Sequence, residues 1–155
     1  MDDVRSVRPG DPAPAVLWVM ALLSLAPFPV AALMYCYGPP SLQHPALTSL
    51  LAWSAIVMSF LGGVRWGFES SEPKPRTYRL FFAALSSVAA WVVLLARGRV
   101  PDGWILAGFI LAFMIQWLFD HQTPDTPSRY PRLSTTLTAG ACVSLSLALE
   151  QAIHG

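Results

Sequence analysis

Apolar residues fill this chain in five long blocks, and the segments between them are short, polar and rich in proline and glycine. The first block runs near 15–37, with Trp18 at one end and Tyr35 and Tyr37 at the other, where interfacial aromatics belong. The tight Gly38-Pro39-Pro40 loop leads to a second block near 46–68. A polar segment from Glu69 to Thr77, holding Pro73 and Pro75, precedes a third block near 78–96. Arg97-Gly98-Arg99 and the Pro101-Asp102-Gly103 turn join it to a fourth near 103–119, so these two form a helical hairpin. A segment rich in Pro, Asp and Thr, 120–132, leads to the fifth block near 133–153. Each block matches the roughly 20 apolar residues that a helix needs to cross a bilayer. The pattern predicts an all-α membrane protein, a bundle of five transmembrane helices in one domain, 15–155, behind a polar tail, 1–14, with Pro9, Pro12 and Pro14.

Composition agrees. Of 155 residues, 54% are hydrophobic and 12% charged, with a mean hydropathy of +0.50, whereas a soluble domain carries about 25% charged residues. Five spans leave no room for a separate soluble domain. The net charge of +1 argues against a nucleic-acid partner, which calls for a basic face. The acidic start, Met1-Asp2-Asp3-Val4-Arg5, does not read as a signal peptide. Charge placement orients the bundle. Arg5, Arg8, Arg65, Lys74, Arg76, Arg79, Arg129 and Arg132 fall on one side, and only Arg97 and Arg99 on the other. By the positive-inside rule the N-terminus is cytoplasmic and the C-terminus outside.

Within this frame a few positions call for a physical account. In the second span Ala55, Ser59, Gly63 and Gly67 recur every four residues, and Thr136, Gly140, Ser144 and Ala148 do so in the fifth. Such stripes let helix backbones approach closely in lipid, so both are expected at helix–helix contacts. Arg65 points away from the small stripe and lies about one turn inside its helix end. It reads either as an anchor beside interfacial Trp66 or as half of a buried ion pair, with Glu69 the local and Asp120 the distant partner. Asp120 and Arg132 border one loop, and with Arg65 they are expected to form a triad tying three spans together. Gln116 and Asp120, four apart, share a face near His121. Pro27 and Pro29 fall mid-span and remove the donors for the carbonyls of Leu23 and Leu25. A structural kink or a broken helix at a solute site follows.

No catalytic constellation emerges. CxxC, HExxH and Walker-type motifs are absent, and no His lies mid-span to ligate haem, so neither a metal nor a cofactor is expected. No Asp, Glu, Lys or Arg stands at a span centre, which argues against ion-coupled transport. Cys36 lies near the outer end of the first span and Cys142 mid-way along the fifth, about 15 Å apart in depth, so no disulfide is expected.

The run Ser59-Phe60-Leu61-Gly62-Gly63-Val64-Arg65-Trp66-Gly67 resembles the signature of the bacterial and mitochondrial domain-of-unknown-function 3429 family, the transmembrane protein 69-like proteins. Ala26-Pro27-Phe28 is similar to its first-helix Pro-Phe, and Ser86-Ser87-Val88-Ala89-Ala90-Trp91 to part of its third helix. Asp120, Tyr130, Arg132, Leu137 and Thr138 resemble the pattern between its last two helices. The resemblance implies a small multi-span protein of the bacterial inner (plasma) membrane or the mitochondrial inner membrane, and it supplies no activity. The expected function is non-enzymatic: an accessory or assembly subunit of a larger membrane complex, with the lipid bilayer and either another complex or a second copy as partner through the small-residue faces. The alternative is a small-solute or lipid transporter, its path near the Pro-kinked first helix and Arg65. A lipid-headgroup enzyme using Asp120, His121 and Arg132 stands third.

Overall fold

The computed structural model describes residues 15–122 and 130–154, with all their side chains except those of Ala15, Leu17 and residues 130–132. The regular structure among them is six helices: α1 (Ala15–Leu25), α2 (Pro27–Tyr37), α3 (Pro40–Ser70), α4 (Thr77–Leu95), α5 (Asp102–His121) and α6 (Tyr130–His154). Five helical spans are long and apolar enough to cross a membrane, because α1 and α2 together make one, Trp18–Tyr37. The expected tail, 1–14, lies outside the described residues.

The first span breaks at Ala26, where the prolines place it. Neither Pro27 nor Pro29 can donate to the preceding turn. Trp53 of α3 donates its indole N–H to the Ser24 carbonyl at 2.9 Å, inside the turn that the prolines disrupt. A protein donor therefore serves the loosened backbone at this depth, which favours the structural kink over an open solute site.

The second span is longer than the hydrophobic pattern predicts. It begins at Pro40 rather than near 46 and runs 31 residues to Ser70, with Pro45 inside it. Pro39 is extended and Pro40 occupies the first helical turn, where a missing N–H leaves nothing unpaired. Pro45 therefore removes one early hydrogen bond without setting the boundary.

The core is built from Phe28, Leu50, Leu51, Leu106, Phe109, Phe113 and Leu145, all fully buried. Phe28 meets Phe113 edge to face, centroids 6.1 Å apart, pinning the kinked span to α5. Large apolar side chains also point outward: Leu23, Phe60, Leu111 and Trp104 are 60%, 60%, 62% and 74% exposed. A surface this apolar suits hydrocarbon rather than water.

The small stripe of α3 holds only at its start: Ala55 is buried in the core, whereas the rest of the stripe turns away from it. The face that α3 turns to the bundle is Leu47, Leu51, Ser54, Met58, Leu61, Gly62, Arg65 and Glu69. Gly63 and Gly67 face outward, and a Cβ on either would meet nothing within 4 Å. The close approach falls one residue earlier. A Cβ on Gly62 would lie 2.0 Å from Ser86 Oγ and 2.6 Å from the Ala83 carbonyl oxygen, so Gly62 is what lets α4 lie against α3. The reason is angular: neighbouring residues sit about 100° apart on a helix, and burial of Met58, Leu61 and Arg65 decides which glycine faces in. On α6 the expectation holds in part. Ser144 and Ala148 are buried, and Gly140 accommodates the Leu25 side chain, while the buried face is centred on Ser134, Leu137, Thr138, Ala141 and Leu145. Cys36 and Cys142 are both free thiols. The Cys36 Sγ lies 3.5 Å from the Leu147 carbonyl oxygen, which puts it level with a residue five positions from Cys142. Their depth offset is thus about 7.5 Å, half of that expected.

Candidate functional site

At one end of the bundle α3 finishes, α4 begins and α5 finishes; this is the Arg65 end. Arg65 is 3% exposed and Asp120 is 2% exposed. Charges removed from lipid and water to this degree require partners. Arg65 Nη1 donates to Asp120 Oδ1 in a buried salt bridge between α3 and α5. Arg65 Nη2 donates to the Phe119 carbonyl at 3.1 Å, and the guanidinium lies over the Phe119 ring, 4.4 Å from its centroid. These contacts share one cause. The last four carbonyls of α5 have no helical donor and carry the negative end of its dipole, which disfavours a carboxylate at Asp120. The planar guanidinium answers both needs, capping a terminal carbonyl and neutralising the carboxylate.

Asp120 is held from other helices too. Ser134 of α6 donates its hydroxyl to Oδ2 at 2.8 Å, and Gln116, one turn back on α5, approaches Oδ1 at 3.5 Å. Gln116 and Asp120 share a face as expected and also meet there, and Arg65, Asp120 and Ser134 tie α3, α5 and α6 together. The side chain of Arg132, third member of the expected triad, lies outside the described residues.

Glu69 is not the partner of Arg65. Its Oε2 accepts from Arg79 Nη1 at 3.3 Å and its Oε1 from the Arg76 backbone N–H at 2.7 Å. Both donors belong to the start of α4, whose N-terminal dipole favours an anion. Arg79 stacks loosely on Tyr78, 5.8 Å to the ring centroid, and donates to its hydroxyl at 3.2 Å. The Glu69–Arg79 pair went unseen in the sequence, where Arg79 counted only as a topological charge. The signal was available: a carboxylate in the last turn of one helix and a cation in the first turn of the next, across a short loop.

The remaining candidates separate by exposure. Trp66 is 47% exposed, as suits an interfacial side chain, whereas Arg65 beside it is buried in a pair rather than serving as an anchor. Gly67 contributes its carbonyl, which accepts the Ser71 hydroxyl at 2.8 Å. His121 is exposed and stacks on Trp117 with centroids 5.3 Å apart, away from the carboxylate network. Thr138, on the same face as Ser134, holds a buried Oγ1. Among the described residues no group of three His, Cys, Asp or Glu side chains is placed to hold a metal ion.

A cleft opens beside the network, between α4 and α5, with a volume of about 170 Å³. Met58, Ser86 and Gln116 are buried at its base, and half-exposed Phe82, Leu85 and Ile115 line its opening.

The arrangement defines a class: a multi-span α-helical membrane protein whose charged residues join its helices at one end. Residues 13–150 match the family described as Protein of unknown function (DUF3429), and the chain belongs to that family. It is also similar to Transmembrane protein 69 of Xenopus tropicalis, with 32% identity over 151 residues. That alignment covers 92% of this chain and 56% of the relative, so the chain spans little more than half of the relative's length. No solved structure matches.

Proposed function

We propose that this chain is a non-enzymatic module of an inner membrane, bacterial or mitochondrial, that serves as an accessory or assembly subunit of a larger membrane complex. The observation that carries this reading is the outward face of α3, where Gly63 and Gly67 stand in open space with half-buried Ser59 one turn before them. A small-residue face directed at lipid is a surface on which another transmembrane helix can seat closely. The chemistry of the Arg65 end supports the same view: Arg65, Asp120, Glu69 and Arg79 hold helices to one another. In this reading the Arg65 end faces the cytoplasm or matrix, in keeping with the eight-to-two division of Lys and Arg. Affinity isolation in mild detergent tests it. A partner in fixed stoichiometry, lost from Gly63→Leu while that variant keeps the wild-type melting temperature, supports the proposal. Recovery of the chain alone from crosslinked native membranes overturns it.

The alternative, a small-solute or lipid transporter, draws on one observation, the cleft beside Arg65. Against it stands the first-span kink, which Trp53 braces from α3. A homo-oligomer around a central cavity, isolated without another subunit, favours this second reading.

A further inference from the structure

Among the described residues one buried side-chain polar atom has no hydrogen-bond partner: Thr138 Oγ1 on α6. Thr138 is 5% exposed, so neither headgroups nor bulk water reach it. A hydroxyl left unpaired at this burial is destabilising, and hydrocarbon supplies no substitute partner. Its surroundings follow from the register of α5 against α6, which run antiparallel. At the Arg65 end Ser134 donates to Asp120, and at the other end Gly103 faces the side chains of Leu149 and Ile153. Between these points, four residues back along α5 match four residues forward along α6. Gln116 and Thr138 therefore stand at one level, a helical turn from Asp120 and Ser134.

Gln116 has an acceptor to offer at that level. It is 7% exposed, and its Nε2 is directed at Asp120 Oδ1, 3.5 Å away. Among the described residues this is the one hydrogen bond of its side chain. The carboxylate paired with Arg65 only accepts, so the amide NH2 takes that side and the carbonyl Oε1 turns from it. The same side chain lines the cleft between α4 and α5, about 170 Å³ in volume, so the flexible glutamine has room to yield. An unpartnered hydroxyl and an amide oxygen at one level match what holds a buried water, which takes two to four polar partners.

We propose that α5 and α6 hold one internal water molecule, which accepts the Thr138 hydroxyl proton and donates to Gln116 Oε1. The water carries the hydrogen-bonded chain of Arg65, Asp120 and Gln116 on to Thr138, one turn deeper in the bundle. It rests on neither the accessory-subunit nor the transporter reading, because it uses interior faces alone. The competing arrangement is a threonine hydroxyl that bonds back to the carbonyl of its own helix, at Ser134, and leaves Gln116 out.

Two measurements on the full chain separate these. Crystals grown from a lipidic mesophase should show density for a water within hydrogen-bond reach of both Thr138 Oγ1 and Gln116 Oε1. Thr138→Ser keeps the hydroxyl and should keep that density. Thr138→Val keeps the shape and removes the hydroxyl. It should lower the melting temperature in mild detergent by about 2–4 °C, the effect of one lost hydrogen bond in a chain of this size. In a Gln116→Met background the same substitution should no longer lower it, since the bridge is already gone. Should Gln116→Met fail to fold, the wild-type density and Thr138→Val alone decide. The proposal is overturned if Thr138→Val leaves the melting temperature unchanged or raises it, or if its loss is equal in both backgrounds. Density showing a direct Thr138–Gln116 hydrogen bond, or no water at that level, overturns it as well.

Discussion

Replacing Asp120 by Asn isolates the charge of the carboxylate from its shape. Arg65 and Asp120 are 3% and 2% exposed, so neither charge has solvent to fall back on. Breaking a buried pair by removing one partner typically costs about 3–5 kcal/mol. The amide oxygen of Asn still accepts from the guanidinium, which recovers about 1–2 kcal/mol. The amide nitrogen cannot accept the hydroxyl proton that Ser134 now gives to Oδ2. The net loss is about 2–3 kcal/mol, equivalent to a fall of about 4–12 °C in melting temperature for a chain of this size. Scanning fluorimetry on the intrinsic tryptophans in a mild detergent measures it. The companion double variant, Arg65→Met with Asp120→Leu, removes both charges and leaves neither orphaned. Its loss should be smaller than that of Asp120→Asn, because apolar replacements of buried pairs are often neutral or better. An Asp120→Asn protein melting within about 1 °C of the wild type would refute the ion-pair account. So would a double variant less stable than Asp120→Asn.

Other outcomes follow from the same structure. Gly62→Ala should destabilise the bundle by about 1–3 kcal/mol, because its Cβ has no space against Ser86 and Ala83, while Gly63→Ala should be neutral or stabilising by up to about 1 kcal/mol; chemical denaturation in mixed micelles ranks the two. Trp53→Phe removes the donor to the Ser24 carbonyl and should lower stability by about 1–3 kcal/mol, with backbone exchange rising around Ala26 in hydrogen–deuterium exchange. Glu69→Gln should loosen the start of α4 specifically, seen as faster amide exchange over 76–80 with the α5–α6 contact unchanged. Reporter fusions at Gly38 and Gly98 should both read outside, with residues near Lys74 inside; the reverse pattern would overturn the proposed orientation.

The sequence made the spans legible because their period and length are dictated by the bilayer, and a run such as Asp102–His121 admits one reading. The Arg65–Asp120 pair was foreseeable for a related reason: a guanidinium one turn inside a span has few destinations, and few carboxylates lie at its depth. Rotational setting was harder to read. Gly62 and Gly63 are adjacent and chemically identical, and only the placement of α4 makes one a contact and the other a surface. Ser134 was missed because a serine in a run of Ser and Thr at a helix start carries no mark of what faces it. The start of α3 was placed late because residues 40–45 are polar and proline-rich, yet α3 begins six residues before the expected start, at Pro40.

The Arg65–Asp120 pair also bears on how the chain is made. Its two members are separated by 55 positions, and they belong to different spans. At synthesis rates of about 5–20 residues per second, roughly 3–11 s pass between the emergence of the arginine and that of the aspartate. During that interval the second span enters the bilayer with an unmatched charge, a penalty of up to about 2.5–3.5 kcal/mol at mid-helix and less near the end. The span is insertable because its apolar residues outweigh one arginine, yet its position stays provisional until the fourth span arrives. Membrane integration of this protein is thus completed in reverse order, with a late helix fixing the depth of an early one.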